Sequence, residues 1–264
     1  MKDRRPVLPP RTPGWLRDGF LRYNRALLGR KFAAVRAAGV ERFPATASGP
    51  VLVYLNHPAW WDPLACAALV DACCRHRRHV ALIDEAELSR VLERLGFVGI
   101  APGSMAGARR MMRLADESAG QPDMTLWLTP QGRFADPRER PLALAGGLAR
   151  LARRLPEAVA VPMALEYPFL GARKPEMRIL VGEPIPASAA DAATLEHGLE
   201  SAMDQLAALI VRDDNGPFRT LIGPRSASES SARPDGHAAE ATPARTTSAE
   251  TTSAEASAGK RAGS

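Results

Sequence analysis

Short apolar runs alternate along the chain with longer stretches in which apolar residues recur every three or four positions. The runs at 51–55, 80–83, 97–100, 125–129, 159–165 and 177–181 are too short for helices and read as buried strands. Helical period marks 63–74, 85–95, 105–116, 144–155 and 189–211. Asp62 stands as a possible cap for the first of these, and Ser104 for the third. Leu195, Leu199, Met203, Leu206 and Ile210 form one stripe on the last helix, a core face. Strands separated by helices of this length predict an α/β fold, a mixed and largely parallel sheet covered by helices on both faces. Ahead of it, 15–38 places Leu16, Phe20, Tyr23, Leu27, Leu28 and Phe32 at helical spacing, with arginines over much of the remainder. This predicts a basic amphipathic helix. Such a helix lies on anionic lipid or docks on the domain with its arginines solvated, and one helix can do both.

Composition limits how much of the chain folds. From about Pro224 onward the sequence is Ser, Ala, Thr, Glu, Gly and Arg with almost no large apolar residue. Such a segment cannot bury enough surface to offset its ordering entropy and reads as a disordered tail. The first dozen residues, rich in Pro and Arg, look similarly loose. The expected organisation is a basic helical extension at 1–45, a folded domain at 46–223 and a tail at 224–264. No internal repeat is visible.

The net charge of +6 suits anionic lipid, nucleic acid or a phosphorylated co-substrate. Aromatics are not interleaved with the basic residues and no recognition-motif spacing occurs, so nucleic acid is disfavoured. Cys66, Cys73 and Cys74 make no disulfide framework. Cys73, His76 and His79 resemble metal spacing only loosely and lack a second ligand pair, so no metal is expected. The N-terminus lacks the apolar core of a signal peptide, and no run reaches the ~18 apolar residues of a spanning helix. The expectation is an intracellular chain that does not cross a membrane.

The chemistry concentrates in Asn56-His57-Pro58-Ala59-Trp60-Trp61-Asp62-Pro63-Leu64, directly after the 51–55 strand. Imidazole is suited to take a proton near neutral pH. A nearby carboxylate can hold its tautomer and stabilise the charged ring. Loops past the carboxyl ends of strands are where α/β domains build their sites, and Asn56 and Pro58 stiffen this one. The competing reading is a capped helix start with a surface histidine.

This segment resembles the first signature of the phospholipid/glycerol acyltransferase family, the PlsC-like lysophospholipid acyltransferases. Gly96-Phe97-Val98-Gly99-Ile100 stands in the place of the second block, and Trp127-Leu128-Thr129-Pro130-Gln131-Gly132-Arg133 resembles the third, usually Pro-Glu-Gly-Thr-Arg. Val161-Pro162 and Val181-Gly182-Glu183-Pro184-Ile185 resemble the fourth block and a closing strand. The blocks fall in the family's order across about residues 50 to 186. The resemblance implies transfer of a fatty acyl group from acyl-CoA or acyl carrier protein (acyl-ACP) to a hydroxyl of a lysophospholipid or glycerol-phosphate-type lipid. It implies His57 as general base and Asp62 as its orienter, with no bound cofactor and no acyl-enzyme.

It also implies substrate contacts from Gln131, Gly132 and Arg133, and a glycine turn that offers backbone N–H groups and lets backbone approach a ligand. Arg133 would hold a phosphate or is a solvated loop residue. Trp60 and Trp61 line a pocket or pack beneath it. The second block lacks the family's arginine, and the nearest are Arg109 and Arg110. That departure, and Gln131 in place of glutamate, make a non-phosphorylated acceptor such as a glycolipid or hydroxylated isoprenoid an alternative. A catalytically silent membrane-binding scaffold is another. The partners implied are a lipid acceptor, the thioester donor and an anionic membrane surface, with the protein peripheral on the inner face of the cell membrane.

Overall fold

The computed structural model describes residues 6–45 and 47–224, so the expected tail beyond 224 lies outside the described residues. The elements in chain order are α1 (Gly14–Lys31), β1 (Val35–Ala38), β2 (Val51–Leu55), α2 (Asp62–Leu69), β3 (Arg78–Asp84), α3 (Arg90–Arg94), β4 (Phe97–Ile100) and α4 (Met105–Ser118). They continue with β5 (Met124–Leu128), α5 (Gly147–Arg154), β6 (Val159–Glu166), β7 (Met177–Val181), β8 (Ile185–Pro186), α6 (Ala192–Val211) and β9 (Phe218–Ile222). The strands form one sheet in the order β4-β3-β5-β2-β6-β7-β1-β9, with β8 also paired to β6. From β4 to β6 every pairing is parallel, while β6 with β7 and β1 with β9 run antiparallel.

The expected α/β fold is therefore present, and its layers follow from side-chain alternation. Val51, Val53 and Leu55 point to a core shared with Leu28 and Phe32 at the end of α1 and with Ala65, Ala68 and Leu69 of α2. Leu52 and Tyr54 point to the opposite core, with Leu114 of α4, Leu151 of α5 and Leu199 and Leu206 of α6. Every residue of β2 is buried because both faces are covered, which is why this strand reads as an unbroken apolar run.

The N-terminal part corrects the expected organisation. The helix stops at Lys31 rather than continuing to 38, and Val35–Ala38 is an inner strand paired with β7 and β9. Ladder partners on both sides override the strong local helical preference of Arg-Ala-Ala, a matter of tenths of a kcal/mol per residue. The folded domain thus begins well before 46. Residues 7 and 8 are not loose either. Their N–H groups donate to the Glu117 carboxylate on α4, at 2.8 and 2.7 Å, and Val7 is buried. Helix α1 is docked: Leu21, Asn24 and Leu28 are buried, and the Asn24 amide donates to Leu64 O at 3.0 Å.

The basic run Arg75-His76-Arg77-Arg78-His79 after α2 is not simply a solvated set of charges. Arg77 is 4% exposed. Its guanidinium donates to Thr125 Oγ1 and to the carbonyls of Ala47, Gly49, Pro122 and Met124. It thereby ties the chain before β2 to the start of β5. His79 accepts from Trp127 Nε1–H through Nδ1, so Nε2–H donates to Cys74 O. Burial pushes its pKa down to about 4, and it is a neutral core histidine. Among the described residues no group of three or more His, Cys, Asp or Glu could hold a metal ion, and no helix is long and apolar enough to cross a membrane.

Replacing Arg77 with Met leaves several buried carbonyls without a donor. The expected cost is about 3 kcal/mol or more, read as a lowered urea midpoint with the slope unchanged.

Candidate active site

The site forms where β2 emerges between β5 and β6. Asn56 is 1% exposed, and its side chain replaces the next rung of the sheet. Its Nδ2 donates to Leu165 O at 3.0 Å, and its Oδ1 accepts Leu165 N–H at 2.8 Å. The chain is therefore gripped by β6 just as it leaves the ladder. The next residue is gripped from the other side. His57 N–H donates to Gln131 Oε1 at 2.9 Å, and His57 O accepts Ala135 N–H at 3.0 Å, both from the segment after β5.

With its backbone held, the imidazole meets Asp62 across one turn. Nδ1 lies 2.5 Å from Asp62 Oδ2. An ionised carboxylate only accepts, so Nδ1 carries the proton and the neutral ring presents Nε2 as a base. Nε2 has no hydrogen-bond partner among the described residues, and the Phe134 ring covers the imidazole at 4.4 Å between centroids. Asp62 is 1% exposed. Ala59 N–H approaches Oδ2 at 3.4 Å, and Tyr167 O–H donates to Oδ1 at 2.5 Å. Burial pushes the Asp62 carboxyl above its ordinary value, and the hydrogen bonds from His57 and Tyr167 draw it back. Asp62 is the first residue of α2, but its side chain serves the histidine rather than capping the helix. The capped-helix reading fails on that point.

His57 lines a cavity of about 1390 Å³. Its walls come from both faces of the sheet. On the α1–α2 side they include Phe20, Leu21, Ala67, Val70 and Trp127; on the α4–α5 side they include Leu82, Met105, Met111, Met112, Leu128 and Leu148. His57, Gln131 and Phe134 stand at the strand ends between the two sets.

The structure distributes the other expected site residues unevenly. Trp60 lines the cavity and is 61% exposed, forming its rim. Trp61 does not line it: stacked on Trp60 and edge-on to Phe32 at 5.0 Å, it packs α1 against the site. Arg109 and Arg110 are exposed and do not line it, because Ala108, Met111 and Met112 take the inward face of α4 and helical period turns 109 and 110 outward. Arg133 lines the cavity, but its guanidinium is ion-paired with Glu139. Gly132 is needed for its φ of +65°, not for close approach, since an added Cβ there would meet nothing. Its N–H donates to Thr129 O and is not a free donor. Gln131 holds the His57 backbone through its oxygen, while its Nε2 is buried without a partner. Sequence reasoning missed Tyr167, which is 105 positions from its partner Asp62.

Comparison with known proteins agrees with this architecture. The fold is similar to the crystal structure of the 1-acyl-sn-glycerophosphate (LPA) acyltransferase, PlsC, from Thermotoga maritima. The TM-score is 0.50 at 14% identity, covering 73% of this chain and 81% of that one. No curated protein matches by sequence. The family model described as Acyltransferase matches residues 34–166, which begins just before β1 and ends with β6. That match takes in half of the chain, including the His57–Asp62 pair and the Gln131 turn, and the chain belongs to the acyltransferase family.

Proposed function

We propose that this protein is a membrane-surface O-acyltransferase. In this reading it moves a fatty acyl group from acyl-CoA or acyl-ACP to the hydroxyl of a lysophospholipid or glycerol-phosphate-type lipid. The observation that carries the proposal is the 2.5 Å contact between His57 Nδ1 and Asp62 Oδ2 at the wall of a large apolar cavity. His57 Nε2 takes the proton of the acceptor hydroxyl as its oxygen attacks the thioester carbonyl. Asp62 holds the tautomer and stabilises the imidazolium. Collapse of the tetrahedral intermediate breaks the carbon–sulfur bond, and the departing thiolate recovers the proton from His57. The Cys66 thiol also lines the cavity, but burial and the Asp62 charge hold it well above its ordinary pKa. It stays protonated and is a poor nucleophile, which favours direct transfer over an acyl-enzyme.

Apolar walls on both sides of the catalytic pair suit two hydrocarbon tails, one on the donor and one on an acceptor that is itself a lipid. A non-phosphorylated hydroxyl acceptor is the second reading. It is favoured by Arg109 and Arg110 facing outward and by Arg133 being committed to Glu139. A silent scaffold is disfavoured by the intact pair.

The membrane-facing surface is inferred to include the strand-end edge, since α1 buries Leu21, Asn24 and Leu28 against the domain and leaves Trp15 and Tyr23 exposed. That edge exposes Trp60, Phe134, Phe169 and Met105, with Arg30, Lys31, Arg173 and Lys174 nearby. Aromatic side chains beside cations suit an anionic headgroup layer, here the inner face of the cell membrane.

His57→Ala is expected to lower acyl transfer from labelled acyl-CoA by about 10³–10⁴-fold, and Asp62→Asn by about 10²–10⁴-fold. Unchanged turnover in His57→Ala rejects the mechanism. Lysophosphatidate and a monoacylglycerol offered side by side decide between the acceptor classes. Gln131→Glu keeps the acceptor for His57 N–H and removes an unused donor, so kcat is expected within a few fold of wild type. Gln131→Leu orphans that N–H and is expected to lose about 10-fold or more, measured as initial rates. Phe169→Ser with Lys174→Glu is expected to reduce co-sedimentation with phosphatidylglycerol vesicles while solution turnover of a short-chain acceptor holds.

A further inference from the structure

Asp62 has two carboxylate oxygens, and only Oδ2 meets His57. Oδ1 accepts the phenolic O–H of Tyr167 at 2.5 Å. Tyr167 follows directly on β6, two positions beyond the Leu165 backbone groups that Asn56 grips, so one strand end holds both residues in place. Its ring lies 5.9 Å from Phe32, which in turn packs on Trp61. Burial, and after it the Asp62 charge, hold the phenol far above its ordinary pKa, so it is a hydrogen-bond donor across any working pH.

We propose that Tyr167 is a positioning residue for acyl transfer, its hydroxyl pinning Asp62 Oδ1 so that Oδ2 is presented to His57 Nδ1. The proposal rests on the reading of His57 as the base. A buried carboxylate with a strong donor on one oxygen only can swing about its terminal torsion or take up a proton. A donor on each oxygen opposes both. Asp62 then stays charged and in register while the imidazole cycles between neutral and protonated forms.

The titratable neighbours of the pair are few. Cys66 lies one turn along α2, and its thiol is the other group in electrostatic contact with Asp62 and Tyr167. From α1 come the neutral Asn24 and the ring of Phe32; the segment after β5 contributes Gln131 and Phe134, with Arg133 turned to Glu139. The active form has Asp62 charged and His57 neutral. The hydrogen bond from Tyr167 stabilises that form more than any form with an added proton. Removing the hydroxyl therefore raises the pH at which the pair takes up its proton, and the acid limb of the rate profile moves upward.

The test is Tyr167→Phe in the full chain, which keeps the ring and loses only the hydroxyl. Two readouts are taken: the NMR titration of the His57 ring, and the pH dependence of kcat with labelled acyl-CoA. The midpoint and the acid limb are both expected to rise by about 0.5–1 pH unit. At neutral pH kcat is expected to fall by about 3- to 10-fold with KM within about twofold. Phe32→Leu disturbs the packing without touching the hydroxyl and is expected to leave the acid limb in place. Superimposable titrations, or a fall in kcat with no movement of the limb, overturn the positioning role. A shifted titration with an unchanged rate at every pH overturns its part in the reaction. The two ideas fail separately: an active His57→Ala sinks the base, and an unmoved imidazole in Tyr167→Phe sinks the support.

Discussion

A carboxylate sealed from water must find partners for its charge or lose the charge, and Asp62 is where this protein meets that constraint. Its partners come from separate stretches of chain. His57 and Ala59 are supplied by the turn that follows β2, and Tyr167 by the end of β6. None of these groups is mobile in the ordinary sense of a surface side chain. Asn56 locks the turn to β6, and Gln131 locks it to the segment after β5. The ordering of β5, β2 and β6 as neighbours is thus what allows a buried acid and a half-buried imidazole to share a proton with fixed geometry.

The same strand order explains how so polar a pair sits among apolar walls. The sheet separates two cores, and the cavity draws lining residues from both. At the strand ends there is no further ladder to satisfy, so backbone and side-chain polar groups can be spent on the pair. Close packing shapes the α4–α5 wall: a Cβ at Gly147 would stand 2.6 Å from Met111 Cε. On the opposite side Phe32 bridges Trp61 and Tyr167, so the docked helix α1 supports the site from behind. The catalytic reading asks His57 to work in low dielectric, where the orienting charge counts for more than it would in water.

Much of this was legible in the residues, and the reasons differ from element to element. Residues 51–55 read correctly because a strand covered on both faces leaves a continuous apolar run. Ser104 read correctly as a cap because its hydroxyl accepts Gly107 N–H, a bond set within one turn. The His57–Asp62 contact spans five positions and is similarly local. By contrast β1, with Arg36 in its middle, has no local mark of a strand; pairing with β7 and β9 makes it one. The strand β9 was not anticipated for the same reason. Arg77 carries no local mark of its role, and only the convergence of distant carbonyls reveals it as a staple. Arg109 and Arg110 stand nearest to the second block in sequence, but helical period puts Ala108, Met111 and Met112 on the cavity side of α4 instead.

The residues by themselves determined the layered α/β class and the contact between His57 and Asp62, because hydrophobic period and a five-residue spacing are properties of contiguous chain. Tertiary structure alone decided that Tyr167 donates to Asp62 Oδ1, that Gln131 serves as an acceptor for the His57 backbone, and that α1 docks through Leu21, Asn24 and Leu28. Those outcomes depend on which strands become neighbours. Strand order is set by long-range packing free energy, which no short window of sequence contains.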